Sequence, residues 1–440
     1  MDWTDLILFP LFYLVVTIVF SRVSNKISSP LDRKYFNWAL HAKIWGGIAL
    51  ASVYQFYYGK GDTFHFYHDS SFLYELFWED PSLALKAVVF KLRDLSPDYS
   101  KFRMYFPSDQ ASLVVIRLAF ILGLFCFNSY TVIATVFTLI SFCGIWLIYR
   151  VFRELVGGID KKMALAILFF PSVVFWGSGF MKDPITVGVL GIFFYCFYTL
   201  FIKGKVRFKY LLFLLISLIV LKTLKVYVLY SFLPACGVWI YIEYKSKIKN
   251  KALRFFSIPF LLAFIGGMGY LVLNKVQAEG RYSLENVASS AVLISDYLYN
   301  VSTRDGGSAF TLSTTFDGSI TSGLKVAPEA LMVAYFRPFL WEARNPLMLV
   351  SGIENTYILF LFLQAVLLLI SKKKINKLTR NSGLLYTAIV FSVILGVGIT
   401  ISTANLGSLS RYRIPFLPFL ICALFLIIES RKNRQNELYD

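Results

Sequence analysis

Apolar runs long enough to cross a bilayer recur along almost the whole chain of 440 residues. No other feature limits the possible folds as much. About 20 apolar residues of helix cross the ~30 Å of hydrocarbon in a membrane. Stretches near 5–21, 41–58, 112–127, 131–149, 163–180, 185–202, 210–222, 226–243, 256–274, 346–370, 383–400 and 412–428 approach or meet that length. Hydrophobic residues form 57% of the chain and charged ones 16%, more apolar surface than a water-soluble protein of this size can enclose. The runs are continuous rather than alternating, which argues against a closed barrel. The expected fold is an all-α polytopic membrane protein of about 11–12 transmembrane helices.

The formal net charge of +18 does not point to a nucleic-acid partner, because the basic residues fall in short loops between the spans and not on one face. Lys203, Lys205, Arg207 and Lys209 share one acid-free loop. Lys245, Lys247, Lys249, Lys251 and Arg254 share a second, and Lys372, Lys373, Lys374, Lys377 and Arg380 a third. The positive-inside bias places all three in the cytoplasm. Met181-Lys182-Asp183, the long loop 275–345 and the turn 402–411 then face outward. Arg22, Lys26, Arg33 and Lys34 hold loop 21–40 inside, so Asp62 emerges outside. The basic loop 150–162 belongs inside as well, which leaves room for one crossing between 112 and 149. Arg117 marks the first apolar run there as the one that does not cross, giving 11 crossings.

No repeat and no soluble domain is visible, so 1–440 reads as a single integral membrane domain. It carries two large outward loops, 59–110 and 275–345. The first holds an amphipathic, interfacial helix near Pro81–Arg93, and the second is rich in Ser, Thr and Gly around 302–323. The N-terminus lacks the basic start and cleavage site of a removable signal, so its first span is expected to stay. The cysteines number five, all in apolar runs and without a CxxC pair, and read as small buried hydrophobes.

Chemistry-bearing residues collect at the outward ends of these spans. Gly61-Asp62-Thr63-Phe64-His65-Phe66-Tyr67-His68-Asp69 packs two carboxylates and two of the three histidines into one short segment. Spacings of three and seven put Asp62, His65 and Asp69 on one face of a helix. There they could hold a divalent cation, or one carboxylate could act as general base. The plain alternative is a polar cap on a span. In Phe175-Trp176-Gly177-Ser178-Gly179-Phe180-Met181-Lys182-Asp183-Pro184, small residues precede a Lys–Asp pair. Asp183 before Pro184 could equally cap the next helix.

Lys222 and Lys225 stand on the outward side, against the charge bias, as do Arg411 and Arg413 in Ser410-Arg411-Tyr412-Arg413-Ile414-Pro415. A ligand phosphate accounts for cations so placed, and arginine forks suit it bidentately. Lipid headgroup contact is the simpler reading for the lysines. Arg337 and Arg344 flank Trp341-Glu342 and are weaker candidates of the same kind.

An acidic motif in the first outward loop, a second Asp in the next one and a late Arg-Tyr-Arg-x-Pro before the last span resemble the C-type glycosyltransferase superfamily. That superfamily includes the protein O-mannosyltransferases, the aminoarabinose transferases of lipid A and the rhizobial lipopolysaccharide transferases. The resemblance implies an inverting transfer of sugar from a polyprenyl-phosphate donor to a glycan or lipid acceptor of the cell envelope, at the outer face of the bacterial inner membrane. It assigns Asp62 as the base or the acceptor-positioning group. Asp183 becomes the second acid, linked to a divalent cation such as Mg or Mn, and Arg411 or Arg413 the contact to the donor phosphate, with Tyr412 between them. Two other classes fit the outline. An O-antigen polymerase or ligase would lean on Arg281, Arg304, Arg337 and Arg344 and leave Asp62 dispensable. A flippase or transporter for lipid-linked sugars would need polar groups at the bilayer midplane.

Overall fold

A computed structural model describes residues 3–59, 61–95, 103–157, 160–245, 308–313, 320–370 and 382–436, with the isolated positions 296 and 300. The span expected at 256–274, most of the loop 275–345 and the lysine-rich loop 371–381 lie outside them. Among the described residues the chain is helical, with no strand and a single isolated bridge between Ala309 and Asn405.

Six described helices are long and apolar enough to cross a membrane: Thr4–Ser24, Tyr130–Leu155, Lys182–Ile202, Val226–Tyr244, Pro346–Ile370 and Ser382–Ile401. A bent pair, Leu406–Tyr412 and Leu417–Glu429, makes a seventh if it is counted as one span. The chain is thus an all-α polytopic membrane protein associated with a lipid bilayer. It divides into two compact units, each made of separate segments. The first is Met1–Phe152, Ile167–Tyr198 and Val206–Val226; the second is Arg153–Ala166, Thr199–Lys205 and Tyr227–Asp440.

The first unit contains α1 (Trp3–Ser24), α2 (Pro30–Ser52), α3 (Asp62–Glu79), α4 (Pro81–Val89), α5 (Gln110–Phe125) and most of α6 (Tyr130–Leu155). After α7 (Asp160–Leu168) come α8 (Pro171–Phe175), α9 (Lys182–Phe197) and α10 (Phe208–Leu224). Helix α1 leaves Leu6, Ile7, Leu11, Leu14, Val15 and Ile18 uncovered, as a lipid-facing helix does. Its one acid faces the other way. Asp5 is buried and accepts hydrogen bonds from Ser129 Oγ (2.6 Å), Thr131 N (3.0 Å) and Thr131 Oγ1 (2.9 Å), capping the start of α6 from another helix.

Small residues set the closest approaches. A Cβ on Gly144 of α6 would fall on the backbone of Gly188 in α9, and one on Gly191 would fall on Gly144. The two helices therefore meet backbone to backbone, the geometry that small residues permit in membranes.

Several expected stretches fold otherwise than as uniform spans, among them 41–58, the later part of α2 followed by a π-helix over Val53–Tyr58. The stretch 163–180 is interrupted: α7 stops at Leu168, Pro171 opens the short α8, and a turn over 176–181 follows. Proline removes a helical donor and glycine loosens the backbone, so the interruption follows from sequence chemistry. The stretch 112–127 forms α5, 16 residues and about 24 Å long, short of the hydrocarbon thickness. Its Arg117 donates from Nε to the Ala87 carbonyl (2.9 Å) and from Nη2 to that of Phe90, closing the carbonyl end of α4. The stretch 412–428 is broken by a bend of 72°. The amphipathic segment near 81–93 forms α4, which buries Leu83, Ala84 and Ala87 and leaves Leu85 and Val89 exposed.

The second unit holds α11 (Val226–Tyr244), α12 (Ile320–Phe336), α13 (Pro346–Ile370), α14 (Ser382–Ile401), α15 (Leu406–Tyr412) and α16 (Leu417–Asn436). Its core includes a triangle of rings, Phe232, Phe391 and Phe419, with centroids 4.8, 5.2 and 5.8 Å apart.

Gly144→Leu should lower thermal stability in detergent by about 1–3 kcal/mol through overpacking. Gly398→Ala, where an added Cβ meets nothing within 4 Å, should leave it unchanged or slightly raised. Equal melting temperatures for the two variants would contradict the α6–α9 backbone contact.

Candidate functional site

The acidic segment is helical, and Gly61 makes its start possible. With φ of +138° this residue occupies a region that L side chains avoid, and a Cβ there would strike the Tyr54 ring. Asp62 follows as the first residue of α3, half-buried, where the helix dipole favours a negative charge.

The same helix sends Asp69 and the histidines to a different task. Asp69 is fully buried. It accepts hydrogen bonds from the backbone N–H of Tyr105 (2.8 Å) and Phe106 (2.9 Å) and lies 3.2 Å from His68 Nδ1. His65 stacks on the Tyr105 ring at 4.2 Å, and His68 meets its edge at 5.0 Å. These three side chains hold the segment 103–109 against α3. Among the described residues no three of His, Cys, Asp and Glu gather to hold a metal ion. With both Asp69 oxygens committed to amides, the set Asp62, His65 and Asp69 does not fit a divalent-cation site.

What the segment 103–109 delivers is Asp109. Its Oδ1 accepts from Ala111 N (3.1 Å) and its Oδ2 from Ser112 Oγ (2.6 Å), which caps α5. The same Oδ2 accepts from Lys182 Nζ at 2.8 Å. Burial alone would raise this carboxyl, but hydrogen bonds from Lys182 and Ser112 outweigh it and hold Asp109 below the usual carboxylate range. Lys182 Nζ also lies 5.7 Å from the ring of Phe66, one turn beyond Asp62 on α3.

Asp183, next along α9, is paired elsewhere. It accepts from Lys225, and the two side chains are 1% and 7% exposed. Lys225 ends α10, and Lys222, one turn earlier, is exposed. The first unit thus brings four of the sequence candidates, Asp62, Lys182, Asp183 and Lys225, onto helices linked through Phe66, Asp109 and the head of α9. One pair is half-exposed and one is dry.

The glycines before Lys182 serve packing. Lys43 of α2, 1% exposed, donates to the carbonyls of Val173 (3.0 Å) and Gly177. A Cβ on Gly177 would collide with the Val173 carbonyl and crowd the Lys43 ammonium. Gly179 adopts φ of +81° and donates from N to Thr138 Oγ1 (2.8 Å).

In the second unit Arg337 is held by Glu342, with Nε 2.9 and 3.1 Å from its two oxygens and Nη2 on the first. Burial would raise Glu342, yet Arg337 and the Phe339 amide hold it below its ordinary value. Arg413 is fully enclosed. Its Nη1 donates to Asn355 Oδ1 and, at 3.4 Å, to the Arg337 carbonyl, and its Nη2 lies 3.8 Å from Glu354. Arg411 and Tyr412 are half-buried, the guanidinium 5.9 Å from the adjacent ring. Arg344 is exposed, and Arg281 and Arg304 lie outside the described residues.

Sequence reasoning missed Asp109, Lys43, Glu354 and Asn355. Asp109-x-x-Ser112 before an apolar run carries a helix-start signal, but nothing local names Lys182 as its partner.

Asp183→Asn or Lys225→Met alone should destabilise the protein by about 3–5 kcal/mol, because each strands a buried charge. The double variant should recover most of that loss in a detergent melting series, and additive losses would show that the two do not act as a pair. Comparison of the chain with protein-family models, with curated proteins and with solved structures finds no match.

Proposed function

We propose that this protein is a membrane glycosyltransferase that moves a sugar from a polyprenyl-phosphate donor to a glycan or lipid acceptor of the cell envelope. In this reading it sits in the bacterial inner membrane with the head of α9 toward the periplasm. The observation that supports it most is in the first unit. Half-buried Asp62 opens α3, and one turn further on Phe66 of the same helix lies against partly exposed Lys182 at the head of α9.

The reaction asks little more of the protein. The Asp62 carboxylate takes the proton of the acceptor hydroxyl as its oxygen attacks the anomeric carbon. The bond from that carbon to the donor phosphate breaks, its electron pair leaves with the polyprenyl phosphate, and configuration inverts. In this reading Lys182 neutralises the charge that develops on the departing phosphate. The dry Asp183–Lys225 pair fixes the head of α9 and so orients Lys182. Exposed Lys222 is available to headgroups or donor. The motif resemblance implies a phosphate contact from Arg411 or Arg413, with Tyr412 between them. Enclosed Arg413 has its hydrogen bonds inside the second unit.

A second reading has one observation in its favour. The bend of 72° between α15 and α16 beside enclosed Arg413 is the kind of broken helix from which carriers of anionic substrates build their sites. A carrier would move the lipid-linked sugar without cleaving it.

Proteoliposomes supplied with a labelled polyprenyl-phosphate sugar and an envelope glycan extract should transfer label to the acceptor. Asp62→Asn should reduce turnover by about 10²–10⁴-fold, the usual worth of a general base. Full turnover in that variant would remove Asp62 from the chemistry, and flux of intact donor without transfer would favour the carrier.

A further inference from the structure

The two ion pairs at the head of α9 differ in what happens when they open. If Lys225 left Asp183, it would strand a carboxylate that is 1% exposed. If Lys182 left Asp109, the carboxylate would keep Ala111 N on one oxygen, Ser112 Oγ on the other, and water. The Asp109 side chain is 47% exposed and that of Lys182 22%. The ammonium also lies 5.7 Å from the ring of Phe66, a second neighbour besides Asp109. One pair is fixed and the other is built to open at small cost.

We infer that Asp109 is a resident counter-ion for Lys182, holding the ammonium in place until a phosphate anion displaces it, and that it thereby sets how tightly this end of the protein binds phosphate. Asp109 is a positioning residue here, since it meets the ligand only as a competitor for the same ammonium. The chemistry recognised is a phosphate monoester or diester, whether on an isoprenoid lipid or free. The inference rests on the proposed use of a lipid phosphate, but it concerns binding and survives if no sugar is transferred. A purely structural salt bridge makes the opposite forecast: removing the carboxylate would loosen Lys182 and weaken any anion bound there.

The test measures binding of three probes to the purified full-length protein in detergent: an isoprenyl monophosphate, the matching uncharged isoprenol and inorganic phosphate. Asp109→Asn keeps an acceptor oxygen for the α5 cap and removes the competing charge. It should tighten the isoprenyl monophosphate by about two- to fivefold, the range set by a half-exposed ion pair, with no change for the isoprenol. Lys182→Gln should abolish the preference for the phosphate over the alcohol, and Lys182→Arg should retain it. Inorganic phosphate responding in the same way would identify a free anion as ligand, and a response confined to the isoprenyl phosphate would identify a lipid headgroup. Unchanged or weaker phosphate binding by Asp109→Asn, with a melting temperature like that of the native protein, would overturn the inference. Transfer activity is scored separately. A tightened phosphate with no sugar transfer keeps the counter-ion and discards the glycosyltransferase, whereas transfer without the Asp109 effect does the reverse.

Discussion

Removing a charge or a backbone polar group from water is costly, and inside a bilayer only the protein itself can offset that cost. The described helices are arranged around this requirement. Asp5 in the first, lipid-exposed helix is satisfied by the start of α6. Asp69 is satisfied by two amides of the segment leading to α5, and Lys43 by two carbonyls around α8. In each case a polar side chain on one helix completes the hydrogen bonding of another element's end or turn. Those contacts also fix which helices are neighbours, while glycine-lined approaches such as Gly144 against Gly188 fix how close they come.

The same requirement separates permanent polar groups from usable ones. Asp183 with Lys225, and Arg413 with Asn355 and Glu354, are dry. Their cost is met only while the partners stay in place, so they hold geometry. Asp62, Asp109, Lys182 and Arg411 retain contact with the outside and can change partner without stranding a charge in apolar surroundings. Chemistry at the end of such a protein falls to groups of this second kind. Asp62 and Lys182 belong to it.

How far the sequence could be read follows from which interactions are local. Continuous apolar runs made the helical membrane fold legible, because lipid acts on each helix separately. The odd charge at Arg117 belongs to a helix shorter than the spans around it and turns to the end of α4. The periodicity of Asp62, His65 and Asp69 correctly placed them on one helix. It could not say what that helix would face, and Asp69 turned out to bind amides 36 and 37 residues away. The Gly-Ser-Gly stretch showed only as small residues before a Lys–Asp pair, because Lys43, which bonds to Gly177, stands 134 residues earlier in a run that reads simply as a span. The division into two units was invisible for the same reason: it depends on contacts among separated segments, and composition does not change across it.

Lys43 has a consequence that reaches beyond its own hydrogen bonds. By standing in for solvent at the carbonyls of Val173 and Gly177, it lets the chain leave the helical path between α8 and α9 deep within a packed unit. Without that ammonium the two carbonyls would lose a buried donor next to the turn that precedes Lys182 and Asp183. The turn that leads into α9 thus leans on an ammonium near the middle of α2.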